Sequence, residues 1–478
     1  MNRFTSNKPF GLSIAFALWI GTAVSAFGQV SSQPTNSPSR PLLQPIKVQT
    51  EKPTSTAPVN ETSSSAKPLV KKTGSSSPTS VVPRRTSIPV LAEVDIPGYS
   101  GILVESLDGG VVLDSYSNFA FNPASNVKIA TAYAVLKTFG AEYRFRTDVW
   151  TDGQFDQATG TLYGNLYVSG RDPMFNSEHA VAVANELNRL GISNVNGDLI
   201  VTDNFAMSFS TQAQSSGNAL QSVMNSSKRS AGAVRSWQNY LTNSKKIVPT
   251  IPGVAMSGGV YVQSLPTNAK LLFSHESAPM REIVKVTLCY SNNFLSERLG
   301  DMVGGAYAVA RVVQLNAQIP PEEFYLQTSS GLGNNRVTPR AMMKLLRTLR
   351  SELERNKMNF TDIMPVAGID KGTLEGRFDT DFAKGSVVGK TGTLGNTDGG
   401  VSSLAGEVQT KNGKLLFVVF NQRGGVQRFR AFQNSLISLI QGQLGGATPL
   451  GYNIVPLDVR LANTRITYPD SRARINEE

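Results

Sequence analysis

Ser125-Asn126-Val127-Lys128 opens a run, Ser125 to Thr138, whose reading decides the architecture of this chain and its chemistry. Asn122-Pro123-Ala124 precedes it and can start a helix, because proline suits a first helical turn; Gly140 stops it. Val127, Ile129, Ala130, Ala132, Ala134, Val135 and Leu136 make the run apolar almost all round, so the spacing predicts a central, buried helix. Positions three apart share a helix face, which brings the Ser125 hydroxyl within reach of the Lys128 amine. Free backbone amides of the first turn favour negative charge developing at Ser125. An apolar wall disfavours the ammonium form of Lys128, leaving a neutral amine to take the serine proton. Taken alone, the string also fits a surface serine and lysine on an ordinary helix; its burial and two later motifs decide against that.

Those motifs are Ser291-Asn292-Asn293 and Lys390-Thr391-Gly392-Thr393. The first falls at a break between two helical runs, where a loop can offer Ser291 as a proton relay and the Asn293 carboxamide to a substrate amide; by itself it also reads as a helix cap. The second ends an apolar strand flanked by Gly385 and Gly389. Glycine admits a second backbone there, and the amides of Thr393 and Ser125 can form an oxyanion hole. Lys390, Thr391 and Thr393 can attract a substrate carboxylate. Short strings recur by accident in a chain this rich in Ser, Lys, Thr and Gly: Ser64-Ser65-Ala66-Lys67, Lys72-Thr73-Gly74 and Ser216-Gly217-Asn218 are formal matches. The first two sit in low-complexity sequence, whereas Ser125 and Lys390 sit in strong helix and strand patterns.

The chain has 478 residues, 46 of them basic and 35 acidic, for a net charge of +11. Gly11 to Ala23, behind Arg3 and Lys8 and before Val24-Ser25-Ala26, reads as a secretory signal over residues 1–28. A membrane helix is the rival, but the run falls short of the roughly 20 apolar residues a span needs. Residues 29–89, rich in Ser, Thr and Pro, carry too little apolar surface to offset the entropy of ordering and read as a disordered linker. Positions 1–90 hold 10 basic and 2 acidic residues, leaving only +3 for the rest. That argues against a nucleic-acid groove; the basic tail is either a tether drawn to an anionic wall or membrane surface, or a solvated spacer. Cys289 is the only cysteine, so no internal disulfide forms, and its neighbours point to packing rather than reactivity. His179 and His275, the only histidines, stand away from every nucleophile motif, which disfavours a Ser-His-Asp triad or a zinc site.

Gly101–Ser106 and Val111–Tyr116 flank Asp108-Gly109-Gly110 as a hairpin. Strand patterns then run through Arg144–Thr151, Thr161–Ser169 and Gly197–Thr202. Helical patterns return at Met280–Gly304 and Pro339–Glu354. Strands Ser386–Leu394, Val401–Val408 and Lys414–Phe420 precede an amphipathic helix from Val426 to about Leu444. The first and last sets are half-buried sheet pieces far apart in sequence, and their shared solution is one antiparallel sheet flanked by helices, an α+β fold. The expected division is a catalytic domain of 90–140 and 255–445, an inserted β-rich domain of 141–254, and a tail of 446–478.

Further blocks extend the pattern. Gly368-Ile369-Asp370-Lys371-Gly372-Thr373-Leu374-Glu375-Gly376-Arg377-Phe378, Ser330-Gly331-Leu332 with Asn335-Arg336-Val337-Thr338-Pro339, and Gly170-Arg171-Asp172-Pro173, together with the three motifs and a large insertion that sets the first two about 165 residues apart, resemble the DacB-type D-alanyl-D-alanine carboxypeptidases, the S13 serine peptidases. The resemblance spans about Leu91 to Leu444. It implies the penicillin-binding/β-lactamase-like transpeptidase fold and attack by Ser125 on the bond before a terminal D-alanine of a peptidoglycan stem peptide. Lys128 is then the base, Ser291 the relay, and Asn293, Lys390, Thr391 and Thr393 bind substrate. Cutting of cross-links, covalent inhibition by β-lactams, and no metal or organic cofactor are implied too. Asp172 either contacts the third stem residue or only forms an Asp-Pro turn. Gly333 and Asn334 replace the usual residues after Ser330-Gly331-Leu332, Lys371 is inserted, and Gly395–Gly400 is longer than the family pattern. A secreted serine β-lactamase, or a noncatalytic wall-binding protein of the same fold, would carry the same strings.

Overall fold

The computed structural model describes residues 84–469; the expected signal segment and most of the expected linker lie outside the described residues. Among the described residues no helix is long and apolar enough to cross a membrane.

Six antiparallel strands form the central sheet, in the order Arg85–Thr86, Val111–Ser115, Tyr99–Ser106, Gly413–Gln422, Val401–Thr410, Val387–Leu394. The amino-terminal hairpin thus joins the three carboxyl-terminal strands directly, with Val104 opposite Phe417. Side chains alternate along each strand, so one sheet cannot hide its apolar residues without a layer on both faces. Leu103, Val388, Ala405, Leu416, Val418 and Phe420 enter the core built on helices Val127–Phe139, Met280–Tyr290, Asn293–Val303, Gly305–Ala317 and Pro339–Arg355. Ile102, Val104, Val387, Leu404, Phe417 and Val419 point the other way, against Leu436, Ile437 and Ile440 of the closing helix Val426–Gln443. Every residue from Val127 to Leu136 is buried, as the all-round apolar run predicts.

The insertion has its own core and is not simply β-rich. Three helices, Ser177–Arg189, Ala213–Met224 and Ala231–Ser244, pack on short mixed strands. The expected end at residue 254 falls inside it: Val260–Val262 and Lys270–Glu276 continue its larger sheet beside Arg146–Thr151, Leu166–Gly170 and Leu199–Val201. Val260–Val262 is only three residues long and Lys270–Glu276 runs apolar then polar, so neither shows a clean alternation. The described part of the expected tail, 446–469, is also integrated. Arg465–Thr467 becomes the edge strand next to Lys270–Glu276, and Leu457 enters the catalytic core. Arg460 pairs with Glu282 at 2.9 Å, and the Tyr452 hydroxyl donates to Asp370 at 3.0 Å.

Candidate active site

Ser125 sits in a single 3-10 turn, Ala124–Asn126, that leads into the buried helix. Ala124 takes a left-handed φ of 46°, and the Ser403 hydroxyl donates to the Pro123 carbonyl at 2.7 Å, pinning the turn to the central sheet. Gly392 of the motif strand lies against the same turn: a Cβ there would stand 2.7 Å from the Pro123 carbonyl oxygen and 2.9 Å from the Ser125 amide nitrogen. Only glycine lets the strand edge approach the nucleophile's backbone this closely.

Lys128 lies one turn on and is 1% exposed. Its Nζ has three partners: the Ser125 hydroxyl at 3.1 Å, Asn293 Oδ1 at 2.7 Å and the Ser330 carbonyl at 2.6 Å. Burial pushes its pKa down to about 7, with the Glu297 carboxylate pulling the other way. Two of the three partners can only accept. A neutral amine therefore spends its two N–H groups on Asn293 and Ser330, and its lone pair is left facing the Ser125 hydroxyl.

The second motif is a break between helices, as expected. Ser291 is left-handed (φ 55°), and the Asn292 side chain caps the next helix by accepting from the Leu295 amide at 3.0 Å. The capping role thus falls on the middle residue, and Ser291 and Asn293 are free to face the cleft. A non-glycine residue held at positive φ costs on the order of 1–3 kcal/mol, which the packed helices on either side sustain.

Lys390 departs from expectation. It is fully buried, absent from the cleft lining, and donates to the Ser291 hydroxyl at 2.9 Å and the Thr391 carbonyl at 2.6 Å. Burial and repulsion by Lys128 hold its pKa well below the usual lysine value. Its amine therefore acts on Ser291, and Thr391 and Thr393 alone of that motif line the cleft. Asp172 takes the second of its two expected roles. It is 2% exposed inside the insertion, and one carboxylate oxygen accepts from the Met174 amide at 2.9 Å, which is the turn-forming role. Burial raises its pKa to about 6. The insertion reaches the site elsewhere, where the Phe209 ring meets Phe294 edge-on at 5.8 Å, next to Asn293. His179 and His275 lie together in the insertion, ring centres 5.0 Å apart, and Cys289 is buried with its thiol pushed up to about 12.

Several contributors went unread in the sequence. Glu297 accepts from the amides of Ser329 and Ser330 at 3.2 and 2.9 Å, and the Thr131 and Ser296 hydroxyls both donate to the Ser329 carbonyl at 2.7 Å. Together they fix the Ser330 carbonyl over Lys128. Glu297 stands four residues after Asn293, one helical turn, the only signal that marked it. The block 368–378 has a structural half, because buried Asp370 pairs with buried Lys285 at 2.7 Å and accepts from the Val366 amide. Its other half, Thr373, Gly376 and Arg377, faces the cleft, a space of about 760 Å³ that also opens on Ser125, Ser291, Asn293 and Leu332. The two departing segments are tied together by Arg336, which grips both oxygens of Asp398 at 2.9 and 3.1 Å.

Comparison with known proteins bears on the fold and the family. The chain is 24% identical over 430 residues to the D-alanyl-D-alanine carboxypeptidase of Actinomadura sp. (strain R39), covering 69% of this chain and 78% of that protein. It is 29% identical over 185 residues to DacB of Haemophilus influenzae, 35% of this chain and 37% of that protein. A predatory peptidoglycan endopeptidase from Bdellovibrio bacteriovorus superposes with a TM-score of 0.64 at 20% identity, over 78% of this chain and 100% of that one. The central sheet with its flanking helices is therefore the penicillin-binding α+β fold. The model of the D-Ala-D-Ala carboxypeptidase 3 (S13) family matches residues 90–221 and 227–439, and this chain belongs to that family.

Proposed function

We propose that this chain is an exported serine D-Ala-D-Ala carboxypeptidase and endopeptidase that works on peptidoglycan stem peptides in the periplasm or cell wall through a Ser125 acyl-enzyme, and that penicillins acylate the same serine. The observation that carries the reading is the Lys128 amine, buried, lowered to about 7 and hydrogen-bonded so that its lone pair meets the Ser125 hydroxyl. Lys128 takes the serine proton as Oγ adds to the carbonyl of the penultimate D-alanine. The oxyanion falls to the amides of Ser125 and Thr393. The C–N bond breaks, and the proton reaches the departing amine through the Ser291 hydroxyl, which Lys390 holds. Water then adds to the ester, with Lys128 again the base, and frees the shortened stem. Export rests on the signal-like residues 1–28. Acylation by penicillin is supported by the Bdellovibrio endopeptidase captured in a penicillin G-acylated form.

The test is intact mass spectrometry of the protein treated with benzylpenicillin, with the adduct and the mature amino terminus mapped together. A long-lived adduct on Ser125, absent from Ser125→Ala, and release of D-alanine from a pentapeptide are expected. Rapid turnover of the penicillin would instead make the protein a β-lactamase. Identical behaviour of Ser125→Ala would make it noncatalytic.

A further inference from the structure

Beyond Thr393 the cleft is walled by Thr373, Gly376 and Arg377 and by the first turns of the closing helix, including Arg430 and Asn434. No lining residue is acidic. Arg377 is 9% exposed, yet among the described residues its guanidinium is held only by neutral amide oxygens, Asn434 Oδ1 at 2.9 Å and Gln433 Oε1 at 3.1 Å, above the Phe378 ring. Gln433 is itself fixed, its amide donating to Asn421 Oδ1 at 2.9 Å and the Ser402 hydroxyl at 3.2 Å. Arg430 is partly exposed and donates to the Thr393 hydroxyl at 3.0 Å. Burial and the neighbouring Arg430 together push the Arg377 pKa down to about 10, and among the described residues no carboxylate offsets them. A buried charge without a counterion is costly unless a ligand supplies one. A guanidinium fork matches a carboxylate geometrically. Lys390 lies buried behind this wall and is spent on Ser291.

We propose that Arg377 and Arg430 form an anion subsite beside the Thr391 and Thr393 hydroxyls, and that this pair, not Lys390, grips the carboxylate of the departing D-amino acid. The proposal rests on the acyl-enzyme reading above and names the group that recognises its leaving side. Arg430 makes the direct contact. Arg377, anchored by Gln433 and Asn434, sets the field around it and keeps the wall cationic.

The experiment compares acylation rate constants of the full chain for benzylpenicillin, which has a free carboxylate, and for its neutral carboxamide. Arg430→Gln should lose roughly 10- to 100-fold toward the free acid, the worth of one charge-assisted contact, and less than about 3-fold toward the amide. Arg377→Lys, which keeps the charge and loses the fork, should show an intermediate version of the same selectivity. Equal losses on acid and amide would mean that the arginines only support the fold, and an unchanged preference for the acid would place its grip elsewhere; either result overturns the proposal. A wild-type protein that is acylated by neither compound would instead sink the underlying reaction.

Discussion

The state of Lys128 is the most exposed point of the mechanism. With its pKa brought down to about 7, the amine is half neutral near pH 7 and about one per cent neutral at pH 5. Because the neutral form is the base, the second-order rate constant for acylation should climb about tenfold per pH unit up to 7, level off above it, and stand roughly 100-fold below the plateau at pH 5. Stopped-flow mixing with a fluorescent penicillin from pH 5 to 9 reads this directly. Glu297→Gln sharpens the test, since the Glu297 carboxylate favours the ammonium; its removal should slide the midpoint to lower pH. The same group links to stability. Its folded pKa lies below the ordinary 10.5, so between about 7 and 10.5 the unfolded chain binds more protons. Stability should therefore rise with pH over that window, by about 1.4 kcal/mol per unit from this amine alone. A flat acylation profile, or a midpoint above pH 9, would refute the neutral-lysine argument.

Two further outcomes test the scaffold. Gly392→Ala places a methyl group 2.1 Å from the Ser403 hydroxyl oxygen and 2.9 Å from the Ser125 amide. Pushing the strand off the nucleophile turn should cut acylation at least about 100-fold, the loss of one oxyanion donor, with circular dichroism unchanged; near-wild-type rates would show that the strand has room to spare. Asp370→Asn leaves the fully buried Lys285 without its carboxylate, and urea denaturation should show a loss of about 3–5 kcal/mol. A loss under about 1 kcal/mol would remove Asp370 from its structural role.

The catalytic half of the molecule was legible because its signals are local and periodic. The run after Ser125 is apolar in every direction, the last strand carries a continuous apolar run from Leu415 to Phe420, and the first two motifs fall on element boundaries. What escaped reading depends on which way a side chain turns once distant segments meet. Nothing adjacent to Lys390 says that its amine bends toward Ser291, 99 residues earlier in the chain, and away from the cleft. Asp172 carries the same letters whether it faces a ligand or closes its own turn on Met174. The end of the insertion was misplaced because Lys270–Glu276 has a mixed, polar sequence and a register shift at Leu271/Phe273, so its period-2 signal is broken. Arg377 and Arg430 come from segments about fifty residues apart, and only the folded closing helix shows that they share a wall.

The pairing of Tyr99–Ser106 with Gly413–Gln422 bears on how the molecule is made. A ribosome adds roughly 5–20 residues per second, so the first hairpin waits on the order of tens of seconds for its partner strand. Until then Ser125 and Lys128 exist, but the walls that strip the amine of its proton do not: Ser330, Asn293 and the strand edge at Gly392 all arrive later. A nascent or truncated chain therefore carries the nucleophile without its reactivity, and the chemistry switches on only when the last third of the polypeptide has been delivered.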